Sequence, residues 1–422
     1  METYASVLTK AVIFFIVLII IEWIASIIMK KPVNRAMDTI SSLSSGTTNT
    51  IKDILKLSIV IISYQWLYTQ FAIFNIQSTF GLVLLAFIGI DFASYWSHRW
   101  NHEFNVLWNR HVVHHSSEEF NLSTALRQSI SGIFGIYFFL YLPMAIIGVP
   151  TKVIAIVAPL HLFAQFWYHT RLINKMGFLE KIIVTPSHHR VHHAINKEYL
   201  DKNYAAILIL WDKWFGTFQE ELADVPPVYG VKKPVQTWNP VIINFIHLWQ
   251  LAKDAWRAEN IWDKIRIWFM PTGWRPEDVS AKYPIEITEK AQDQIKYTTK
   301  ASHFLIGWTW FQLALHIALE FHLISLLPDL NYSYLLYYGI FLLVSIFAYT
   351  TLMDRHPLAV MVEGIKTIIG FALIYSLNGW YGLDATVQFA TTLISIYLIV
   401  SLILTVYFTY YEKGAQRVSL ER

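Results

Sequence analysis

The sequence predicts an all-α integral membrane protein, a multi-span helical bundle that carries a histidine-rich helical cap. Three observations point there. The 422 residues are 55% hydrophobic and only 15% charged, too apolar for a soluble chain of this length. The apolar residues gather into runs of helical length rather than spreading evenly. Nine of the 16 histidines fall into three short clusters within the first 220 residues, on a chain with no cysteine. The formal charge of +3 is too small to indicate a nucleic-acid partner. The missing cysteines exclude disulfides, thiolate zinc sites and iron–sulfur clusters.

Taken in order, residues 12–28 are an almost unbroken apolar run. It contains one acid, Glu22, and is followed by Lys30 and Lys31. The run is too long for a signal peptide and has no small-residue cleavage site, so it reads as a transmembrane helix. Further spans are expected at 55–74, 80–96, 133–148 and 153–166. Several fall short of the roughly 20 residues that cross a bilayer comfortably, which marks re-entrant or half-buried segments. From 169 to 302 the chain turns polar, and Pro226, Pro227, Pro234, Pro240, Pro271 and Pro276 punctuate it into loops and short helices. Within it, 242–256 and 261–270 mix Trp and Leu with Lys and Arg, as amphipathic helices on a membrane surface do. Four more spans close the chain, at 303–326, 334–352, 358–377 and 386–407. The division is therefore 1–78 for N-terminal membrane helices and 79–222 for the histidine region. An interfacial segment at 223–302 and a C-terminal bundle at 303–422 complete it. Trp274, Trp308, Trp310 and Trp380 stand where interfacial anchors are expected.

The clusters read His98-x-x-x-His102, His111-x-x-His114-His115 and His188-His189-x-x-His192-His193. Residues three and four apart share a helix face, so the histidines of each cluster point together. His188 is one residue out of phase with the second cluster and reads as a supporting or structural residue. Neutral imidazole suits iron, copper, nickel and zinc. One zinc takes about four ligands, so eight in-phase histidines imply two ions. All-nitrogen ligation in a membrane favours redox chemistry, and iron with open positions binds dioxygen. A ligating histidine usually donates its second ring nitrogen to a carboxylate or carbonyl, and Asp91, Glu103, Glu118, Glu119 and Asp212 are the nearby acids. Asp91 forms one stripe with Tyr95, His98 and His102. It reads equally as a paired acid and as a solvated helix end. His161 reads as a core or tunnel histidine, and His169 as a ninth ligand. His247, His303, His316, His322 and His356 have no ligand spacing.

All three clusters emerge on one face if 133–148 and 153–166 form a hairpin. Arg99, Arg110, Arg127, Arg171, Lys175, Lys181 and Arg190 crowd the same face, which the positive-inside rule places in the cytoplasm.

The series H-x-x-x-H, H-x-x-H-H, H-x-x-H-H resembles the fatty acid hydroxylase and sterol desaturase superfamily. The likeness runs from about Asp91 to Glu220 and closes on WDKWFGTF at 211–218. Within the superfamily, HVVHHSSEEFN at 111–121, TALRQ at 124–128, QFWYHT at 165–170, TPSHHRVHH at 185–193 and DKNY at 201–204 are similar to the alkylglycerol monooxygenase branch. The resemblance implies a non-haem diiron centre that uses dioxygen to hydroxylate a lipid chain. For the branch it implies attack on the ether-linked carbon of an alkylglycerol, giving a fatty aldehyde and a glycerol product, with tetrahydrobiopterin as reductant. It implies His98, His102, His111, His114, His115, His169, His189, His192 and His193 as ligands. It places Glu103 beside the pterin or the metal. The residues themselves offer Asn121 and Arg127 as further pterin-binding candidates, and Asp91, Glu103, Glu119, His188 and Asp212 as groups around the metals. No G-x-G-x-x-G nicotinamide fingerprint or haem domain is present, so electrons come from a small donor or a separate, regenerating protein. A fatty acyl, sterol or carotenoid substrate is the alternative within this chemistry. A metal transporter is the alternative outside it. That reading requires polar residues near the middle of several spans. The C-terminal spans have few, and His316 with Glu320 finds no matching pair in a neighbouring span.

Overall fold

The computed structural model describes residues 2–77 and 79–412, with side chains from residue 9 onward. Every regular element among them is helical, and backbone pairing is confined to four isolated bridges. Six helices are long and apolar enough to cross a membrane.

The first span is α1 (Glu2–Ile28). Its acid is not free: Glu22 is buried and accepts from the Leu122 backbone N–H at 2.8 Å, which ties the span to the loop after the second histidine cluster. Next comes α2 (Ala36–Ile54), rich in Ser and Thr and nonetheless buried. Its hydroxyls turn inward onto carbonyls, as Ser44 does to Ile40 at 2.6 Å and Ser41 to Trp238 at 2.8 Å. Small residues let α2 pack closely between α14 and α15, defined below.

The span expected at 55–74 does not form. Lys56 takes a left-handed conformation, and the β-branched run Ile59-Val60-Ile61-Ile62 is not helical: Ile59 exchanges hydrogen bonds with Ile133 and Gly135, and the chain bends at Ile61 and Ile62. Crowding at Cβ disfavours helix for such a run. Only α3 (Tyr64–Phe71) is helical there. By contrast, α4 (Phe80–Glu103) runs seven residues past its expected end, capped by the Thr79 hydroxyl on Leu82 N–H at 3.3 Å. It thereby carries His98 and His102 on its last turns. The short α5 (Asn105–Trp108) and α6 (Val112–His115) follow.

A 3-10 turn (Ile136–Tyr141) leads into α7 (Leu142–Ile147) and then α8 (Thr151–Phe163). At 1.5 Å per residue each arm reaches about 20 Å or less, short of a hydrocarbon core of about 30 Å. The arms join at Gly148, whose φ is +91° and whose missing Cβ would lie 1.9 Å from the Phe74 carbonyl oxygen. The hairpin thus returns the chain to the face it left. The cap contains α9 (Pro186–His192) and α10 (Leu210–Trp214). Beside it lie α11 (Pro240–Arg257), α12 (Ile261–Arg266) and α13 (Glu277–Lys282). Exposed Trp249, Trp256, Ile261 and Trp262 give α11 and α12 the apolar outer face of surface-lying helices.

The C-terminal bundle is α14 (His303–Ser325), α15 (Tyr332–Met353), α16 (Ala359–Leu377) and α17 (Ala390–Val406). Two expectations fail here. Trp380 is fully buried and donates to the Tyr338 hydroxyl at 3.0 Å, so it is a packing residue rather than an interfacial anchor. The bundle interior is also not poor in polar groups. Gln312, His316 and Glu320 of α14 face inward together with Glu363 and Lys366 of α16 and Ser401 of α17, all buried. The charge count on the cap needs revision too. Arg127 and Arg190 are buried in ion pairs with Asp38 and Glu221, so they do not act as surface cations.

Candidate metal centre

Nine imidazoles converge in two groups. His98, His102, His111, His115 and His192 each offer a ring nitrogen within 4.8 Å of the others, and His114, His169, His189 and His193 do the same. The expectation that each H-x-x-H-H cluster points one way is corrected by this division. In both clusters the first and last histidines, four apart, join one group, and the middle one joins the other. An advance of four residues rotates about 40° and an advance of three about −60°, so the two positions straddle the first by about 100°. Each cluster therefore reaches both groups. His98 and His102 of α4 complete the first, and His169 completes the second.

The hydrogen bonds around the rings say what the groups need. His98 Nδ1 donates to the Tyr204 carbonyl at 2.7 Å, and His192 Nδ1 to Lys202 at 2.9 Å. His169 Nδ1 donates to Gln165 at 3.1 Å, and His114 Nδ1 to Arg127 at 3.3 Å. A neutral ring that donates from Nδ1 presents a bare lone pair at Nε2. Yet His114 Nε2 and His169 Nε2 face each other at 3.3 Å, so two lone pairs meet with nothing between. Further Nε2 contacts are His98 to His111 at 2.8 Å and His169 to His189 at 2.9 Å. Buried Nε2 atoms of His102, His115 and His192 have no hydrogen-bond partner among the described residues.

A cation would satisfy these convergent ring nitrogens. Protons are disfavoured, because burial first and neighbouring imidazoles second hold His111, His114, His115, His189, His192 and His193 well below the ordinary histidine value. Burial takes His169 down to about 3. A metal ion fits: ligands about 2 Å from one ion stand about 3 Å from each other, and the carbonyls fix ring orientation as supports of metal-bound histidines do.

Asp91 is fully buried, which overturns the solvated-end reading. It accepts from His161 Nε2 at 2.7 Å, from the backbone N–H of Ile207 and Leu208 at 3.0 Å, and from Trp211 Nε1 at 2.8 Å. It anchors the segment that approaches His98. Asp212 accepts from the backbone N–H of Tyr204 and Ala205 at 2.8 Å and from the Thr217 hydroxyl at 2.7 Å, which positions the carbonyl under His98. His188 stands outside both groups. It closes the N-terminus of α9 in a reciprocal cap with Thr185. Glu119 binds Arg171 and Lys296 at 2.9 and 2.6 Å. Glu103 pairs with Arg99 at 2.7 Å on a half-exposed rim. Asn121 bridges Val33 and Ser123 inside a loop. Arg127 is held by Ser42, Ser116 and Asp38 at 2.8–2.9 Å.

A cavity of about 740 Å³ touches both groups, through His98 and His111 on one side and His114, His169 and His189 on the other. Its lining is mixed: apolar residues come from α1 (Phe15, Ile16), α8 (Leu162, Phe163) and α14 (Ile317, Phe321), and polar ones include Thr47 and Thr50 of α2, Asn101, Arg110 and Glu320. The contribution of α2 was not foreseen, nor was that of Asp38 in holding Arg127. The available signal was a helix-length stretch of small residues with an acid, Asp38, in its first turn.

The fatty acid hydroxylase family model matches residues 83–217. Alkylglycerol monooxygenase of Homo sapiens is 36% identical over 377 residues, 89% of this chain and 84% of that protein. The chain belongs to the alkylglycerol monooxygenase family. Its counterpart in Xenopus tropicalis is 33% identical over 361 residues, 85% of this chain and 80% of the relative. Ornithine lipid hydroxylase OlsE of Rhizobium tropici is 30% identical over 137 residues, 32% of this chain and 41% of that protein. No solved structure matches the chain. Membership in the alkylglycerol monooxygenase family extends well beyond the histidine region, because the human protein aligns across most of this chain.

Proposed function

We propose that this chain is a membrane monooxygenase that hydroxylates the ether-linked carbon of an alkylglycerol. The resulting hemiacetal falls apart to a fatty aldehyde and a glycerol product. The observation that carries the reading is a cavity lined at once by histidines of both groups, by apolar side chains of α1, α8 and α14 and by polar side chains of α2, α4 and the cap. An alkylglycerol likewise combines a hydrocarbon tail with a diol, joined at the carbon to be attacked. The nine histidines would hold two irons, five of them in one group and four in the other. When bound, the irons supply dioxygen activation, which acids and bases cannot provide for an unactivated C–H bond.

The chain's own groups do the rest. Phe15, Leu162, Phe163 and Phe321 bind the tail and exclude water, while Thr47, Asn101 and Arg110 meet the diol and fix which carbon lies by the histidines. Backbone carbonyls of Tyr204, Lys202, Gln165 and Arg127 keep four rings in one tautomer. We assign the reductant, tetrahydrobiopterin or a similar small donor, to the rim at Glu103, one residue from His102 and in reach of solvent. The cap faces the cytoplasm in this reading, supported by exposed Lys175 and the other cations that remain at the surface.

Elemental analysis of the detergent-purified protein is the first test, followed by tetrahydropterin-dependent release of aldehyde from an alkylglycerol. About two iron atoms per chain and turnover confined to ether lipids are expected. Stoichiometric metal with turnover of an acyl or ornithine lipid instead would move the substrate assignment. A chain without metal after gentle purification and anaerobic iron reconstitution would end the reading.

A further inference from the structure

The C-terminal bundle contains polar groups that the proposed chemistry does not use. Trp308, Gln312, His316 and Glu320 lie four residues apart on α14 and so form one stripe, about 18 Å long. Beyond the Trp308 end, at the start of α14, lies a charged cluster where Ser302 and Arg355 meet Glu412 and Arg355 also meets the Lys300 carbonyl. At the other end Glu320 forms part of the cavity wall. Between them sit atoms with no hydrogen-bond partner among the described residues: Trp308 Nε1, Gln312 Nε2, and both ring nitrogens of His316. Gln312 and His316 are 1% and 3% exposed, so bulk solvent does not reach them.

Neighbouring helices add to the stripe rather than closing it. Gln312 Oε1 accepts from Tyr397 at 3.2 Å and Ser401 at 3.3 Å, and both of these contact Lys366 Nζ, at 3.1 and 3.0 Å. Lys366 is paired with Glu363. From α15, Tyr349 faces His316 and bonds Ser44 of α2 at 2.6 Å. Thr50 and Asp53 of α2 and Arg110 share the cavity with Glu320. Unpartnered polar atoms in a bilayer are costly, and in native proteins such atoms are met by ordered water.

We propose that the α14 stripe is a water-filled proton path that runs from the charged end of the bundle to Glu320, and that Glu320 exchanges protons with the cavity. The role rests on the monooxygenase reading. Inserting one oxygen atom into a C–H bond consumes one dioxygen, two electrons and two protons and leaves one water; a tetrahydropterin that gives the electrons releases its two protons at the rim, not at the histidines. An apolar tail filling the cavity separates the site from solvent, so protons and product water need a route of their own.

The hydration is tested without any substrate. Hydroxyl radicals generated by X-ray radiolysis in the full-length protein in lipid discs label side chains that adjoin water, including internal water. Labelling of His316 and Tyr397 several-fold above Phe341, a fully buried residue of the same bundle, is expected, with exposed Trp256 as the positive control. Labelling no higher than Phe341 while Trp256 reacts would overturn the path whatever the enzyme's substrate proves to be. The proton role is tested with Glu320→Gln and its conservative partner Glu320→Asp in the alkylglycerol assay. The Gln variant is expected to raise the solvent deuterium isotope effect on kcat at unchanged KM and metal content, and Asp to restore it. An unchanged isotope effect in a Gln variant that still holds its metal would also overturn the proposal. Absence of alkylglycerol turnover in the wild type would strike the functional reading and leave the labelling result standing.

Discussion

Among single residues, the division of the histidines yields the sharpest expectations. His192 belongs to the five-membered group and His189 to the four-membered one, though they are three residues apart on α9. His189→Ala leaves three imidazoles in its group, and His192→Ala leaves four in the other. Iron content is therefore expected to fall further in His189→Ala, with turnover lost in both; equal and full iron in both variants would break the grouping. Asp212→Ala removes the acceptor that positions the Tyr204 carbonyl beneath His98. Residues that orient a ligand in this way typically contribute about 10- to 100-fold in metal affinity. A chelator competition should show a loss of that size for Asp212→Ala and none for Glu119→Ala, whose partners are Arg171 and Lys296.

Elements differ in how far the sequence revealed them. Long apolar runs gave away α1, α4 and the C-terminal four because nothing but a helix satisfies their backbones in lipid. That the clustered histidines would gather was equally legible, since helical phase is a local property, but their division between two groups was not. What escaped depended on partners distant in the chain. The span expected at 55–74 failed because hydropathy does not separate a β-branched, non-helical run from a helix. Buried α2 gave no signal because its Ser and Thr hydroxyls are satisfied by carbonyls that only the fold brings near. The pairing of Asp91 with His161, seventy residues away, was invisible for the same reason, as was the meeting of Gln312 with Tyr397 and Ser401. The α7–α8 hairpin offers a test at this scale. Gly148→Ala places a methyl group against the Phe74 carbonyl at a φ that alanine disfavours. A loss of at least about 1 kcal/mol is expected, read as a lower melting temperature at unchanged expression; an unshifted transition would show that the turn relaxes freely.

The molecule as a whole is expected to be sensitive to acid when stripped of metal. His111, His114, His115, His189, His192 and His193 are held well below their ordinary value by burial and by one another, and His169 is held at about 3 by burial. Below about pH 6.5 the unfolded chain binds protons on these rings and the folded chain does not. Stability therefore falls as pH drops below that value, and it is insensitive to these groups above it. Thermal unfolding of chelator-treated protein between pH 7.5 and 5 should show a steep decline, and an iron-loaded sample a shallower one until the ligands are titrated off the metal. A flat profile for the stripped protein would mean that the rings rearrange into solvent once the metal leaves.

The exchange of middle histidines between the two groups has a further consequence for how the protein fills. A single ion captured by His98, His102, His111, His115 and His192 already fixes the turns that carry His114, His189 and His193. The next ion then meets ligands whose disorder has been removed by the first. A preparation short of iron is therefore expected to sort into empty and full molecules, with few carrying one ion, a distribution that native mass spectrometry resolves directly.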